Sequence, residues 1–273
     1  MTPKKYPDRW NAYKDFTYRQ IRELMSEYGK MDILWLDGGW VRPHTTIDKS
    51  VDWQRDIPYD QDIDMPKIAG MARSFQPGLL VVDRSVHGPY ENYVTPEQQI
   101  PDHYLPYPWE SCITMGNSWS YVPNDHYKTP RKIIQMLTDI VSRNGNLLLN
   151  VGPAPDGTWD PAVYDRLKSI GDWMQVNGEA IYDTKADPAL PKQGQWVFTR
   201  KEHKVYAIYQ VADDEKTNGD FTIRLPFVVQ TNNIRMLGSN ENIRIQQSAG
   251  STISFHFDKP DTTQPAWVFA IPE

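Results

Sequence analysis

The stretch TPRKIIQMLTDIVSRNGNLLLNVGP, residues 129–153, contains a complete helix–strand unit. Thr129 is a helix-capping residue, Pro130 suits the first helical position, and apolar residues recur at helical spacing up to Gly145, which is expected to end the helix. The apolar run that follows is typical of a strand covered on both faces. DPAVYDRLKSIGDWMQVNG, residues 160–178, repeats the helical signals, so the sequence predicts a second helix after this strand.

Helices and strands also alternate on the N-terminal side of this unit. The patterns predict helices over residues 8–28 and 65–75 and strands over residues 31–36, 79–83 and 109–115. Such alternation predicts an α/β fold, with a parallel sheet and crossover helices. The region offers about four strands and four helices, whereas a closed (β/α)8 barrel needs about eight of each and about 250 residues. The prediction is therefore either an open α/β sheet or a partial (β/α)8-like barrel of about four βα units.

Beyond about residue 185 the pattern changes to short period-2 or apolar strands joined by turns. This pattern predicts a small antiparallel β-sandwich. The predicted domains are a partial (β/α) barrel at residues 1–185 and a C-terminal β-sandwich at residues 190–273.

The composition is that of an ordinary globular protein, with 39% hydrophobic and 23% charged residues in a chain of 273. A net charge of -6 gives no electrostatic reason to expect nucleic acid or an anionic membrane as a partner. No apolar stretch approaches the ~20 residues of a membrane-spanning helix, and the first ten residues lack the apolar core of a signal peptide. Cys112 is the only cysteine, so the chain forms no internal disulfide. The 10 Trp and 15 Tyr fit either a core of large side chains or a sugar-binding cleft.

The stretch ILWLDGGW, residues 33–40, ends a predicted strand with an aspartate and two glycines. In parallel α/β folds the C-terminal ends of strands are where active sites are built. Asp37 is therefore either part of a turn-forming Asp-Gly pair or a catalytic carboxylate flanked by Trp35 and Trp40. Retaining glycoside hydrolysis needs a second carboxyl group about 5–5.5 Å away. The residues from 85 to 110 offer four candidates that composition does not rank: Glu91, Glu97, Asp102 and Glu110.

Other polar residues carry weaker signals. Three loop histidines lie at no metal-ligand spacing (His87, His103 and His126). Asp60, Asp62 and Asp64 imitate the start of a calcium loop without its glycine and closing glutamate. These patterns predict no metal site.

Several blocks of the sequence, in the same order, resemble glycoside hydrolase family 29, the retaining α-L-fucosidases. They are KKYPDRW, QIRELMSEYGKMDILWLDGGW, VVDRS, YVTPEQQIP, PWESCITMGNSWSY and the block from DIVSRNG to GEAIY. The resemblance covers most of residues 1–185, and residues 190–273 resemble the β-sandwich that family members often carry. It implies an enzyme that releases terminal α-L-fucose from fucosylated glycans and needs no cofactor or metal.

The resemblance implies roles that the spacing left open. Asp37 matches the position of the nucleophile, and Glu97, in TPE, matches that of the general acid/base in bacterial members. Glu110, in WES, is the second candidate for the acid/base. Four residues are expected to bind the substrate: Trp35, Arg84, Trp109 and Glu110.

The resemblance is to the C-terminal half of the family's barrel, because nothing here matches the histidine-bearing first strands. Half a barrel would leave open strand edges, so a homo-oligomer is expected if the half barrel is real. By resemblance, a periplasmic or secreted location is plausible, although the sequence leaves the compartment undetermined. Two alternatives stay open: a truncated, non-catalytic carbohydrate-binding or interface module, and a glycosidase for a related sugar such as galactose.

Overall fold

The structure is a computed structural model that describes residues 3–57, 60–215, 219–240, 242–258 and 261–273. The chain divides into two compact units, Met1–Thr95 and Pro96–Glu273. In the described part of the chain, no helix combines the length and the apolar character needed to cross a membrane.

The described residues of the first unit form helices and two short strands. The elements are α1 (Pro7–Glu27), β1 (Ile33–Leu34), α2 (Asp52–Arg55), α3 (Met65–Phe75) and β2 (Leu80–Val81). α3 begins after Asp64, whose side chain accepts a hydrogen bond from Lys67 N at 3.3 Å, as expected of a capping residue. The helices predicted over residues 8–28 and 65–75 are confirmed to within one residue. The two strands are shorter than predicted, because their ladder holds only two residue pairs.

Helices α1 and α3 cover one face of the parallel β1–β2 pair. Leu34 and Val81 are buried in one core with Met25 of α1 and Ile68 of α3. Ile33 of β1, next to Leu34, is exposed. Because neighbouring residues of a strand point to opposite faces, the helices fix one face of this pair and leave the other open.

The second unit contains a longer parallel pair with its helices. These elements are β3 (Trp109–Thr114), α4 (Pro130–Val141), β4 (Gly145–Asn150) and α5 (Pro161–Asn177). Thr129 caps α4 by accepting from Lys132 N at 3.2 Å, and Asp160 caps α5 by accepting from Ala162 N at 2.8 Å. β3 and β4 pair in parallel over six residues. The helix–strand–helix order predicted for residues 129–178 is confirmed.

Gly145 has a different role from the predicted helix stop. The left-handed residue after α4 is Asn144, with φ of 74°, and Gly145 is the first residue of β4. A Cβ at Gly145 would lie 2.4 Å from the indole of Trp109, its partner in the parallel ladder. Gly145 is therefore needed because the Trp109 ring packs directly on its backbone.

Residues after the 3-10 turn Gly178–Ala180 form seven antiparallel strands. They are β5 (Trp196–Lys201), β6 (Lys204–Gln210), β7 (Asp220–Arg224), β8 (Asn233–Met236), β9 (Asn242–Ala249), β10 (Thr252–His256) and β11 (Ala266–Pro272). Their order in the sheet is β5-β6-β11-β8-β9-β10-β7. Every strand contributes to one core, whose aromatic centre includes Trp196, Tyr209, Phe221, Phe255 and Phe269. The antiparallel prediction is confirmed, and the strands form one hydrogen-bonded sheet around that core.

Helices α4 and α5 pack on this antiparallel sheet. Ile134 of α4 and Trp173 of α5 share a core with Tyr206 and Val268. Arg131 of α4 donates to the carbonyl oxygen of Val211 at 2.8 Å. This shared core lies within the unit Pro96–Glu273, and the domain boundary predicted between residues 185 and 190 stays a prediction.

Candidate active site

The two parallel strands of the first unit each place a charged residue at the same distance from their ends. Asp37 lies three residues after Leu34, the last residue of β1, and Arg84 lies three residues after Val81, the last residue of β2. Leu34 pairs with Val81 in the parallel register, so equal offsets lead to the same edge. Arg84 Nη2 lies 3.4 Å from Asp37 Oδ1. The pair therefore occupies the C-terminal edge, the location of active sites in parallel α/β folds.

The Asp37 carboxylate is held through one of its oxygens. Oδ1 accepts from Gly38 N at 3.1 Å and from Arg84 at 3.4 Å. The Asp37 side chain is 63% exposed, whereas the Arg84 side chain is 18% exposed. A guanidinium withdrawn from water interacts with a carboxylate with less screening than a surface pair does. Both hydrogen bonds described for Asp37 end on Oδ1, so Oδ2 is the oxygen available to a ligand.

Trp35 and Asp37 follow β1 in the chain, just beyond its last residue, Leu34. Leu34 and Leu36 pack against the helical core of the unit. Trp35 is half-buried. A half-buried indole therefore lies two residues before an exposed carboxylate in the chain.

The turn after Asp37 depends on Gly38 and exposes a second tryptophan. Gly38 has φ of 137°, a conformation that side-chain-bearing residues rarely adopt, and its carbonyl accepts from Val41 N at 3.0 Å. Trp40 is 58% exposed within this turn. The turn therefore brings a solvent-facing ring to the residues that follow Asp37.

Arg42 is a residue that the sequence reasoning missed. Its side chain is buried, at 1% exposure, and it donates to Gly39 O on the Asp37 loop and to Ser85 O, at 3.0 Å, on the Arg84 loop. It also donates to Gln54 Oε1 at 2.8 Å. Burial lowers the pKa of this guanidinium from its usual value. Arg42 joins the two loops that carry the charged pair, and an arginine between Val41 and Pro43 gives no sequence signal of burial.

A second link runs from the Arg84 loop to the TPE motif. Thr95, which is buried, donates to Asp83 Oδ1 at 2.5 Å. Asp83 immediately precedes Arg84, and Thr95 lies two residues before Glu97. The DR pair of VVDRS and the threonine of TPE are therefore connected within the first unit.

In the second unit, Glu97 is fixed through its backbone neighbours. Glu97 forms a parallel bridge with Cys112 of β3: Cys112 N donates to Pro96 O at 3.2 Å, and Gln98 N donates to Cys112 O at 2.8 Å. Gln98 has a left-handed φ of 54°, and its amide donates to Thr114 Oγ1 at 3.1 Å while accepting from Thr114 N at 3.4 Å. A strained backbone held by two side-chain contacts defines the chain direction next to Glu97. Sequence reasoning missed Gln98.

The WES motif begins β3. Trp109, the first residue of the strand, is 0% exposed, and its indole Nε1 donates to Arg143 O at 2.9 Å. Glu110 follows it and is half-buried; burial raises the pKa of its carboxyl. At about 3.3 Å per residue, Glu110 lies roughly 13 Å before Thr114 at the C-terminal end of the strand. The burial of Trp109 is that of a core residue and speaks against its predicted contact with substrate.

No group of three or more His, Cys, Asp or Glu side chains in the described ranges is placed to hold a metal ion.

A charged pair at the C-terminal edge of parallel strands, beside tryptophan, is typical of α/β enzymes. The family model described as alpha-L-fucosidase matches residues 1–179. The α-L-fucosidase of Branchiostoma floridae is 30% identical, over 97% of this chain and 59% of that protein. Human tissue α-L-fucosidase is 30% identical, over 84% of this chain and 47% of that protein. The chain belongs to the α-L-fucosidase family, and it spans about half the length of the curated relatives it matches.

Solved structures of the family have the same fold. α-L-Fucosidase isoenzyme 1 from Paenibacillus thiaminolyticus superposes with a TM-score of 0.79 at 27% identity, covering 96% of this chain and 62% of that chain. A family 29 α-L-fucosidase from Bacteroides thetaiotaomicron gives a TM-score of 0.78 at 21% identity, covering 99% and 62%. The Paenibacillus enzyme is similar to this chain in both sequence and fold. The likeness to the Bacteroides enzyme concerns the fold alone.

Proposed function

We propose that this chain is a glycoside hydrolase that removes terminal α-L-fucose from fucosylated glycans or oligosaccharides with retention of configuration. The observation that carries the proposal is the Asp37–Arg84 pair, at 3.4 Å, at the C-terminal edge of β1 and β2. The family match over residues 1–179 includes both residues. A fucosylated carbohydrate is then the partner of this chain.

In the proposed first step, Asp37 attacks the anomeric carbon of fucose. Oδ2 is the attacking oxygen, since Oδ1 already accepts from Gly38 and Arg84. Glu97 gives its proton to the leaving glycosidic oxygen, and a covalent fucosyl–Asp37 ester forms as the old bond breaks. In the second step Glu97 takes a proton from water, whose oxygen displaces Asp37 and regenerates both carboxyl groups.

The proposed sugar contacts are those of Trp35 and Arg84. Arg84 is the hydrogen-bond donor to the fucose hydroxyls, and Trp35 provides an apolar face beside the carboxylate. Glu110 remains the competing acid/base candidate, because its raised pKa is what a general acid needs. Glu97 bridges Cys112, two residues nearer the C-terminal end of β3 than Glu110, and this position favours Glu97. For Trp109 we propose a packing role on Gly145.

We also propose that the two parallel strand pairs and their helices belong to a partial (β/α) barrel of about four βα units, in a domain of residues 1–185. Residues 190–273 form the second proposed domain, a β-sandwich. The observation that supports it is that all seven antiparallel strands contribute side chains to one core. Self-association is the remaining proposal, and a light-scattering mass of the eluted protein tests it: a monomer mass would contradict it.

Hydrolysis of an aryl α-L-fucoside by the purified chain tests the function. Asp37→Ala should lower kcat/KM by at least ~10³-fold, because the nucleophile is lost. Asp32→Ala is the matched control, since Asp32 is an exposed carboxylate on the same unit that pairs with Lys30 at the surface. Activity that is absent in the wild type, or that survives Asp37→Ala, overturns the catalytic proposal and favours the non-catalytic alternative.

Azide rescue separates the two acid/base candidates. Glu97→Ala should slow hydrolysis of an activated aryl fucoside mainly in the second step, by about 10²–10⁴-fold. Added azide should restore turnover, because an anionic nucleophile needs no general base. Rescue of Glu110→Ala but not of Glu97→Ala transfers the role to Glu110.

A further inference from the structure

Trp40 is an exposed tryptophan in the turn that follows Asp37. It is 58% exposed, whereas Trp10, in the core of the same unit, is buried. An isolated exposed hydrophobic residue needs no explanation by itself. This one lies three residues after Asp37, in the turn that begins there.

The Trp40 ring lies against the backbone of that turn. Its atoms Cζ2 and Cε2 lie 3.7 Å and 3.8 Å from the position that a Cβ on Gly38 would occupy, so the ring covers the glycine. Val41 N donates to Gly38 O at 3.0 Å on one side of the ring residue, and Val41 O accepts from Ile63 N at 3.3 Å. Arg42, the residue after Val41, is anchored by its buried side chain, which donates to Ser85 O. A ring that already lies on the backbone has fewer orientations to lose when a ligand binds.

The surroundings of Trp40 fit a sugar better than a protein surface. The exposed Asp37 carboxylate is nearby in the chain, and the buried residues Gly38, Gly39 and Arg42 add no apolar side chain to the exposed surface of the ring. Protein interfaces place aromatic residues in a larger apolar core. A single amphipathic ring beside a carboxylate suits a pyranose, which presents C–H groups on one face and hydroxyl groups around it.

The two tryptophans that flank Asp37 differ in exposure. Trp35 is half-buried and Trp40 is open to solvent. Since the leaving group must depart toward solvent, the sugar beyond the cleaved bond lies on the open side. We propose that Trp40 is the stacking platform for the sugar to which fucose is attached, so that the preferred substrates are fucosylated oligosaccharides. This inference rests on the proposed function.

Two kinds of substrate separate the platform from the chemistry: α-L-fucosyl fluoride, which has no second sugar, and a panel of 1,2-, 1,3-, 1,4- and 1,6-linked fucosyl disaccharides. The measured quantity is the ratio of kcat/KM for the best disaccharide to kcat/KM for the fluoride. Trp40→Ala should lower this ratio about tenfold, a loss in the range of one aromatic stacking contact. Trp40→Phe should retain most of it. Tyr28→Ala, which removes an exposed ring elsewhere on the same unit, should leave the ratio at the wild-type value.

Two results would contradict the role of Trp40 as a platform. A ratio within twofold of wild type in Trp40→Ala, or an equal loss on both substrates, overturns the platform. If the wild type hydrolyses neither substrate, the proposed function fails, and calorimetric titration with the same disaccharides decides the platform separately. Weaker binding by Trp40→Ala than by the wild type then supports it, and equal affinity or no binding overturns it.

Discussion

The two parallel strand pairs are held together in different ways. The β1–β2 ladder has two residue pairs, and side chains such as Arg42 fix the loops that follow it. The β3–β4 ladder has six pairs, and a tryptophan packed on a glycine closes its start. Where the ladder is short, the loops carry charged and exposed groups and need polar anchors. Where the ladder is long, the hydrogen bonds between the two strands hold them together.

Arg42 should give the largest effect of the variants that probe this contrast. Arg42→Ala removes the donor of several carbonyl groups and leaves buried acceptors unsatisfied, so we expect about 3 kcal/mol lower free energy of unfolding. Arg42→Lys should not restore the lost stability, since an ammonium group lacks the planar, forked set of donors of the guanidinium. Urea unfolding measures both. Arg55→Ala, which breaks an exposed ion pair with Asp52, should change stability by less than ~1 kcal/mol. An Arg42→Lys variant as stable as the wild type would show that the fork is not needed.

Gly145→Ala tests the other side of the comparison. Its Cβ would lie 2.4 Å from the Trp109 indole, and a packed ring cannot yield without shifting β3, so we expect a loss of about 1–3 kcal/mol. Gly171→Ala in α5 meets no atom within 4 Å and should be neutral or stabilising by up to ~1 kcal/mol. Denaturation midpoints in urea compare the two. Equal effects of both substitutions would mean that the Trp109–Gly145 contact does not hold β3 and β4.

Substitution of Gln98 should have a smaller effect, which we expect in kcat/KM. Gln98→Ala removes both side-chain contacts with Thr114, each worth about 1 kcal/mol, and loosens the backbone next to Glu97. We expect kcat/KM for an unactivated fucoside to fall about tenfold, and that for an activated aryl fucoside, which needs less acid assistance, to fall less. The neighbouring exposed Gln99, changed to alanine, serves as the control. A loss of the same size on both substrates would point to a general structural effect.

The pH dependence of stability gives the smallest signal, at Glu110. Burial raises the pKa of this carboxyl above its unfolded value, so the folded state binds more protons between the two values. The free energy of unfolding therefore falls as pH rises through the folded pKa. Glu110→Gln removes this fall, and its stability relative to the wild type should increase between pH 4 and pH 7. Glu27→Gln, on the exposed surface of α1, is the control variant.

Local sequence signals predicted the helices well because their start signals are local. Asp64 before α3 and Thr129 before α4 cap the helices that the sequence predicted, and each helix has a proline in its first turn. The strand lengths could not be predicted in the same way, because a strand ends where its pairing with the neighbouring strand ends. The pairing of β1 with β2 ends at Leu34. The role of Gly145 was likewise set by Trp109, which is distant in sequence.

The same distinction applies to the site. Asp37 was predicted from its place after a strand, and its contact with Arg84 follows from the register of two strands. Arg42 and Gln98 were missed, because their partners lie in other segments and nothing local indicates them. Trp109 was assigned to substrate from its motif, although its burial depends on the packing of β4.

Covalent labelling tests the central claim most directly. A 2-deoxy-2-fluoro-α-L-fucosyl fluoride slows the second step more than the first, so the sugar should accumulate on the nucleophile. Mass spectrometry of the digested protein should then find one fluorofucosyl group on the peptide that contains Asp37, and Asp37→Asn should remain unlabelled. A label on any other carboxyl group, or an unlabelled wild-type chain, would contradict the account of Asp37 as the nucleophile.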